Sequence, residues 1–333
     1  IYYMKTIGVL IGTTDEPVSK KYYKLNKDKL KYLKQYDIYS DYIPYDYAIF
    51  AEIKDIGNKN NINVIPLFGQ NLTLKECNAC DYIFCIFEGV YSFMHGGIKS
   101  YRKYMSILRR TKAKIYPSQE MQEFIIKKHK YMTYLKKKDY KIPLTKFIDL
   151  SRVNIDSLVK FIERHDLDKI ILKPELGAFK TGFKILNNST KIKKYITDLK
   201  KQEYTRLLLQ PYIGEFNKFG EIKTYWINGK NIFAYIQQWK DGEGVYKKQE
   251  KIEPELLKEC LQTGKKLLQD LFKDHEELIQ CRIDFACCLE NDKRCREFFI
   301  NEIEICPTIG SSDYELFGSY YKTLANAVVN ACK

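Results

Sequence analysis

Near its end the chain sets two β-patterned runs, CRIDFACCLE and REFFINEIEI, around a short polar segment, NDKRC. Alternation along a strand puts Glu302 and Glu304 on one face. With NDKRC as the loop, the antiparallel register centres on Lys293 and sets Asp284 opposite Glu302 on that face. The interleaved Ile283, Phe285, Ile303 and Ile305 need an apolar cover on the other side, so the hairpin belongs in a layered, half-buried sheet. Like charges at adjacent cross-strand positions destabilise a sheet unless a cation neutralises them. Three hard oxygen donors with room for water suit Mg2+. A solvent-facing acidic stripe would contain the same residues, but the apolar neighbours favour the metal reading.

A second pattern is KPELGAFKTGF, from Lys173 to Phe183, where a lysine ends a strand and a short loop follows with Gly177, Lys180, Thr181 and Gly182. Backbone amides of such a loop cradle phosphates, and ammonium groups neutralise them. The glycine spacing matches a Walker A loop, yet Phe183 stands where its lysine must be, which excludes a P-loop. A plain hairpin turn with glycine at positive φ explains the segment equally well.

Around these patterns the chain reads as mixed α/β. Apolar runs at Ile7–Ile11, Asn63–Phe68 and Asp81–Phe87, separated by helical stretches, predict a small parallel α/β layer. Helices follow at Ser100–Arg110 and Ser118–Lys138, the latter capped by Ser118. Strands are expected at PLTKFIDL, KIILKP, FKIL, RLLLQPYI, EIKTYWING and NIFAYIQQW, with helices near 156–165, 190–202, 253–272 and 314–332. This divides 333 residues into 1–117, 118–206 and 207–333, in keeping with roughly 100–200 residues per domain.

No run approaches the roughly 18 apolar residues of a membrane span, and IGVLIG is only a strand long, so a cytoplasmic protein is expected. The net charge of +14 suits an anionic ligand. The densest basic stretch, Lys20 to Tyr36, alternates with Tyr and Leu as a solvated helix face does, and no nucleic-acid-binding signature accompanies it. Ten dispersed cysteines fit a reducing compartment, and the lone CxxC of Cys77 and Cys80 lacks the further ligands of a zinc site.

Taken in order, these segments resemble the ATP-grasp superfamily, in its carboxylate–amine ligase branch. HKYMTYLKKKDYKIPLT is similar to the first ATP-lysine segment, with Lys130 on the lysine and His129 in place of the usual Asp. KPELGAFKTGF resembles the second lysine, Lys173, and its glycine loop with Gly177, Lys180, Thr181 and Gly182. LLLQPYI resembles the hinge strand whose backbone binds adenine, so Gln210, Pro211, Tyr212 and Ile213 inherit that role. In GEIKTYWING, Glu221 matches the ribose contact and Lys223 stands for the usual Arg. RIDF and NEIEICP match the magnesium segment through Arg282, Asp284 and Glu302, with Glu304 where most members carry Asn.

The resemblance implies an ATP-grasp fold behind a small N-terminal α/β domain, with ATP and Mg2+ as cofactors. It implies that a substrate carboxylate takes the γ-phosphate and an amine displaces it, with Lys130, Lys173 and Lys180 neutralising phosphates and Arg282 and Lys223 acting in catalysis. Partners would be small-molecule or peptide carboxylates and amines, and a homo-oligomer is common among such relatives. A kinase of the same fold, phosphorylating a hydroxyl as inositol-phosphate kinases do, and a non-catalytic nucleotide-binding protein are the alternatives. Glu88, Tyr91 and His95 are candidates for the acceptor side, from their place after a strand end.

Overall fold

Every residue of the first apolar run is enclosed from both sides. Strand β1 (Thr6–Ile11) points Ile7, Val9 and Ile11 into one apolar layer and Leu10 into another. A strand covered on both faces reads as an unbroken apolar stretch, as this one does. The computed structural model describes residues 4–12, 18, 20–36, 43–86, 90–177, 182–186, 189–215, 219–240, 243–289, 296–305 and 314–333. The NDKRC segment, the turn after Gly12, Lys180, Thr181 and Glu88 lie outside them, as do the side chains of Tyr91 and His95.

With β2 (Asn63–Phe68), β3 (Tyr82–Cys85) and β4 (Lys114–Tyr116), β1 forms a parallel sheet of order β2-β1-β3-β4. The helix Tyr45–Lys59 packs against its first layer together with the last helix, Tyr314–Ala331, so the chain returns to its start. The helix Val90–Arg110 covers the second layer and begins earlier than expected, because Gly97 bends it at φ 65° and helical segments continue on both sides. In the basic stretch Tyr22, Asn26, Leu30 and Leu33 are buried and most of the lysines face water.

Strands β5 (Lys146–Asp149), β6 (Ile170–Pro174), β7 (Lys184–Leu186) and β8 (Arg206–Pro211) form an antiparallel sheet of order β5-β8-β6-β7. Helices Ile155–Arg164 and Ser189–Lys201 cover one face through Leu158, Ile192, Ile196 and Leu199. The opposite face carries Lys173 beside Leu208 and Ile171 beside Gln210. The third sheet is antiparallel, of order β11-β10-β9-β12-β13, from β9 (Glu221–Ile227), β10 (Lys230–Lys240), β11 (Glu243–Lys248), β12 (Gln280–Leu289) and β13 (Arg296–Glu304).

The predicted helix Ser118–Lys138 is two helices, Gln119–Ile126 and Lys128–Lys137. Lys127 between them has ψ 84°, so the hydrogen-bond ladder breaks there, and the Lys128 amide instead donates to the Glu175 carbonyl at 3.1 Å. Ser118 does cap the first helix, accepting from the Met121 amide.

The helix Pro254–Asp274 lies on the apolar face of the third sheet, and Gly264 sets how closely. A Cβ there would stand 2.6 Å from Trp226 Cζ2 and 3.3 Å from Ile283 Cδ1. The indole is held, since its N–H donates to Thr224 Oγ1 at 2.8 Å. Overpacking costs about 1–3 kcal/mol, against roughly 1 kcal/mol that alanine gains in a helix. Gly264→Ala should therefore lower the urea unfolding midpoint, and a raised midpoint would show that the helix can slide away from Trp226.

Candidate functional site

The other face of the third sheet is charged, for the reason its apolar face is not: period-two alternation. Lys223 on β9 and Arg282 and Asp284 on β12 share it, flanked by Glu302 and Glu304 on β13. Asp284 pairs with Glu302 and Arg282 with Glu304, the register expected from the sequence. Beyond Asp284 the register shifts by one residue, so Phe285 faces Ile300 and Asn301 is the extra residue of a bulge.

Asp284 is 1% exposed, and both its oxygens are engaged. Arg282 Nε reaches Oδ1 at 2.7 Å, while Arg282 Nη2 and Lys223 Nζ reach Oδ2 at 2.8 and 2.5 Å. Arg282 Nη2 also lies 2.7 Å from Glu304 Oε1, and Lys223 lies 3.3 Å from Glu221 Oε2. Glu302 is ion-paired with Lys128. Oxygens of Asp284, Glu302 and Glu304 come within 4.8 Å of one another. Three carboxylates at that spacing fit a hard divalent cation, with no histidine or thiolate to favour a softer one.

The titration behaviour follows from this crowding. Burial pushes the Asp284 carboxyl up, but Arg282 and Lys223 hold it below the usual range. Burial likewise opposes ionisation of Glu302, and Lys128 overrides it. Glu304 is pushed up to about 7, by burial first, with Arg282 pulling the other way and Glu302 and Asp284 adding repulsion. Desolvation lowers the Lys173 ammonium, which makes no ion pair among the described residues.

Gln210 is buried and its amide donates to Thr145 Oγ1 at 2.9 Å, fixing the end of β8. Pro211 pairs with Ile170, and the Tyr212 amide donates to the Lys169 carbonyl at 3.0 Å, just ahead of Ile213. Gly177 and Gly182 flank residues 178–181, which lie outside the described residues. Gly182 has φ 72° and its Cβ would meet Pro174 Cγ at 2.7 Å, so only glycine fits there. Lys130 is turned elsewhere, 3.0 Å from Glu123 and 39% exposed.

Three contacts were not read from the sequence. Lys128 sits in a lysine-rich run that offers no means of choosing one lysine over another. Asn301 Nδ2 donates to Glu221 Oε1 at 2.5 Å, crossing β12, where the opposing residue is the small Ala286. Glu175 binds the Thr205 and Arg206 amides at 3.2 Å and faces His129 Nδ1 at 3.4 Å. Cys77, Cys80, Cys85, Cys260, Cys281 and Cys332 are buried, and burial raises Cys77 to about 12.

No family model matches the chain, and no curated protein matches it. Solved structures do. D-cycloserine synthetase DcsG superposes with a TM-score of 0.68 at 10% identity, over 98% of this chain and 100% of that one. D-alanine–D-alanine ligase from Bacillus anthracis, complexed with ATP, gives 0.65 at 13% identity over 99% and 97%. The ATP-grasp ligase PsnB, complexed with a minimal precursor, gives 0.54 at 11% identity over 99% and 100%. The protein thus has the fold of the ATP-grasp carboxylate–amine ligases. No helix among the described residues is long and apolar enough to cross a membrane.

His129 supplies a pH dependence of stability. Burial, then the charges of Arg206, Lys127 and Lys130, lower it to about 4 against the pull of Glu175. A histidine depressed from about 6.5 leaves the folded state binding fewer protons, so stability is full above 6.5 and falls as pH drops toward 4. The loss is at most about 3 kcal/mol. Urea midpoints at pH 7.5, 6 and 5 should decline in the wild type and flatten in His129→Gln; equal slopes would assign the decline to other groups.

Proposed function

We propose that the chain is an ATP-dependent carboxylate–amine ligase, forming an amide through an acyl phosphate and releasing ADP and phosphate. The observation that carries this is the convergence of Asp284, Glu302 and Glu304 with the buried Arg282 and Lys223 and with Lys173, which has no ion pair among the described residues. Breaking a buried ion pair is costly, and apolar replacements are often neutral or stabilising, so a cluster of this size is better explained by function than by stability.

In this reading Asp284, Glu302 and Glu304 would hold Mg2+, whose charge would offset that of the nucleotide phosphates. Lys173 meets phosphate oxygens, since an ammonium without an internal partner is free to bind an anion. Lys130 serves the phosphates by leaving Glu123. The backbone from Gln210 to Ile213 takes adenine and Glu221 takes ribose. Gly177 and Gly182 anchor the phosphate loop that also carries Lys180 and Thr181. Lys223, spent on Asp284 and Glu221, positions a metal ligand. Arg282 commits Nε and Nη2 to Asp284 and Glu304 and offers Nη1 to the oxyanion that forms when the amine attacks. The division 1–117, 118–206 and 207–333 belongs to the same proposal, the first part supplying acceptor contacts.

The test is ADP release from MgATP across a pool of carboxylates with hydroxylamine as amine, read beside hydroxamate formation. Hydroxamate should appear with ADP and fall at least about a hundredfold in Asp284→Asn, more than loss of an outer-shell partner costs. ADP release driven by hydroxyl compounds without hydroxamate would replace the ligase by a kinase, which the +14 charge would suit through a polyphosphorylated substrate.

Asn301 offers a separate check, because its bond to Glu221 fixes the proposed ribose contact. Asn301→Ala should raise KM for ATP about tenfold, roughly 1.4 kcal/mol, with kcat within about twofold; an unchanged KM would detach Glu221 from the nucleotide.

A further inference from the structure

Lys128 has no part in the reading above. Its helix starts after the break at Lys127, and its ammonium meets Glu302 from outside the sheet that supplies the other charges.

Among the described residues Lys128 is paired with Glu302, Lys223 and Arg282 with Asp284, and Arg282 also with Glu304. Each of the three clustered carboxylates already has a cation in contact. Arg282 and Lys223 are fixed within the sheet, 5% exposed and bonded to Asp284. Lys128 is the movable member. It comes from a separate helix, its side chain is 18% exposed, and the structure gives its ammonium Glu302 as an ion-pair partner. A bare divalent cation approaching Glu302 meets an ammonium already there. A polyphosphate changes this, because it offers Lys128 new acceptors.

We propose that Lys128 is a plug in the metal site: without nucleotide its ammonium occupies Glu302 and excludes a free divalent cation, and on nucleotide binding it moves to the phosphates and frees Glu302. This rests on the ATP and metal reading of the site and adds to it an obligatory order, metal entering with or after the nucleotide. The two ligands are then coupled through one lysine, and the coupling is reciprocal.

The test uses the full chain and Mn2+ as the probe, with free Mn2+ followed by its paramagnetic resonance signal, with and without a non-hydrolysable ATP analogue. Wild type should bind Mn2+ weakly alone and at least about tenfold more tightly with the analogue. Lys128→Met keeps the length of the stem and removes the charge; it should bind Mn2+ alone at least about tenfold more tightly than wild type and gain little from the analogue. Lys128→Arg, which keeps the charge, should behave as wild type. A methionine variant that binds Mn2+ no better than wild type overturns the plug. If that variant does not fold, wild type alone decides: equal Mn2+ affinity with and without the analogue overturns it too. Wild type that binds neither Mn2+ nor the analogue in any combination overturns the site reading itself, and the plug with it.

Discussion

The structure of the C-terminal sheet depends on how one buried carboxylate is neutralised. Asp284 is almost wholly removed from water, and desolvating such a charge costs several kcal/mol unless cations and hydrogen bonds offset it. Here the offset comes from two directions fixed by the sheet: Arg282 two residues along the same strand, and Lys223 directly across on the neighbouring one. A slip of one residue in β12 would turn Arg282 and Asp284 into the layer occupied by Trp226, Leu267 and Leu271. Register is therefore set from both faces at once, by apolar burial on one and charge pairing on the other.

Two irregularities carry the consequences outward. The bulge at Asn301 lets β13 keep Glu302 and Glu304 opposite Asp284 and Arg282 while Asn301 itself reaches Glu221. The break at Lys127 ties the next helix to the end of β6 through Glu175 and swings Lys128 onto Glu302. Without the first, Glu221 lacks its bond to Asn301; without the second, the central sheet and the charged face share no contact through Lys128. Both are local departures from regular geometry, and both sit at the edge of the proposed site.

What the sequence disclosed follows from period two. Because alternation is strict in RIDF and NEIEI, the pairing of Asp284 with Glu302 could be read from the loop length, and the resemblance to ATP-grasp segments then located Lys173 and Gln210. The bulge was not legible, since Asn301 is not a glycine and its partner Glu221 lies 80 residues away. The break at Lys127 has no Pro or Gly to announce it, and the run KKHK gives each lysine the same local character. Strands β4 and β11 were missed for another reason: KIY is only three residues long, and EGVYKK has two adjacent apolar residues among charges and no alternation to read.

Glu304, which stands where the pattern that the sequence resembles has an amide, and Lys128 belong together electrostatically. Glu304 adds a carboxylate beside Glu302 and Asp284 and so raises the cost of keeping all three ionised. Lys128 puts a positive charge at the neighbouring carboxylate, Glu302. In the proposed reading a metal would meet the charge of these carboxylates in one state of the site and Lys128 in the other, a part that suits a lysine on a separate helix better than one fixed in the sheet.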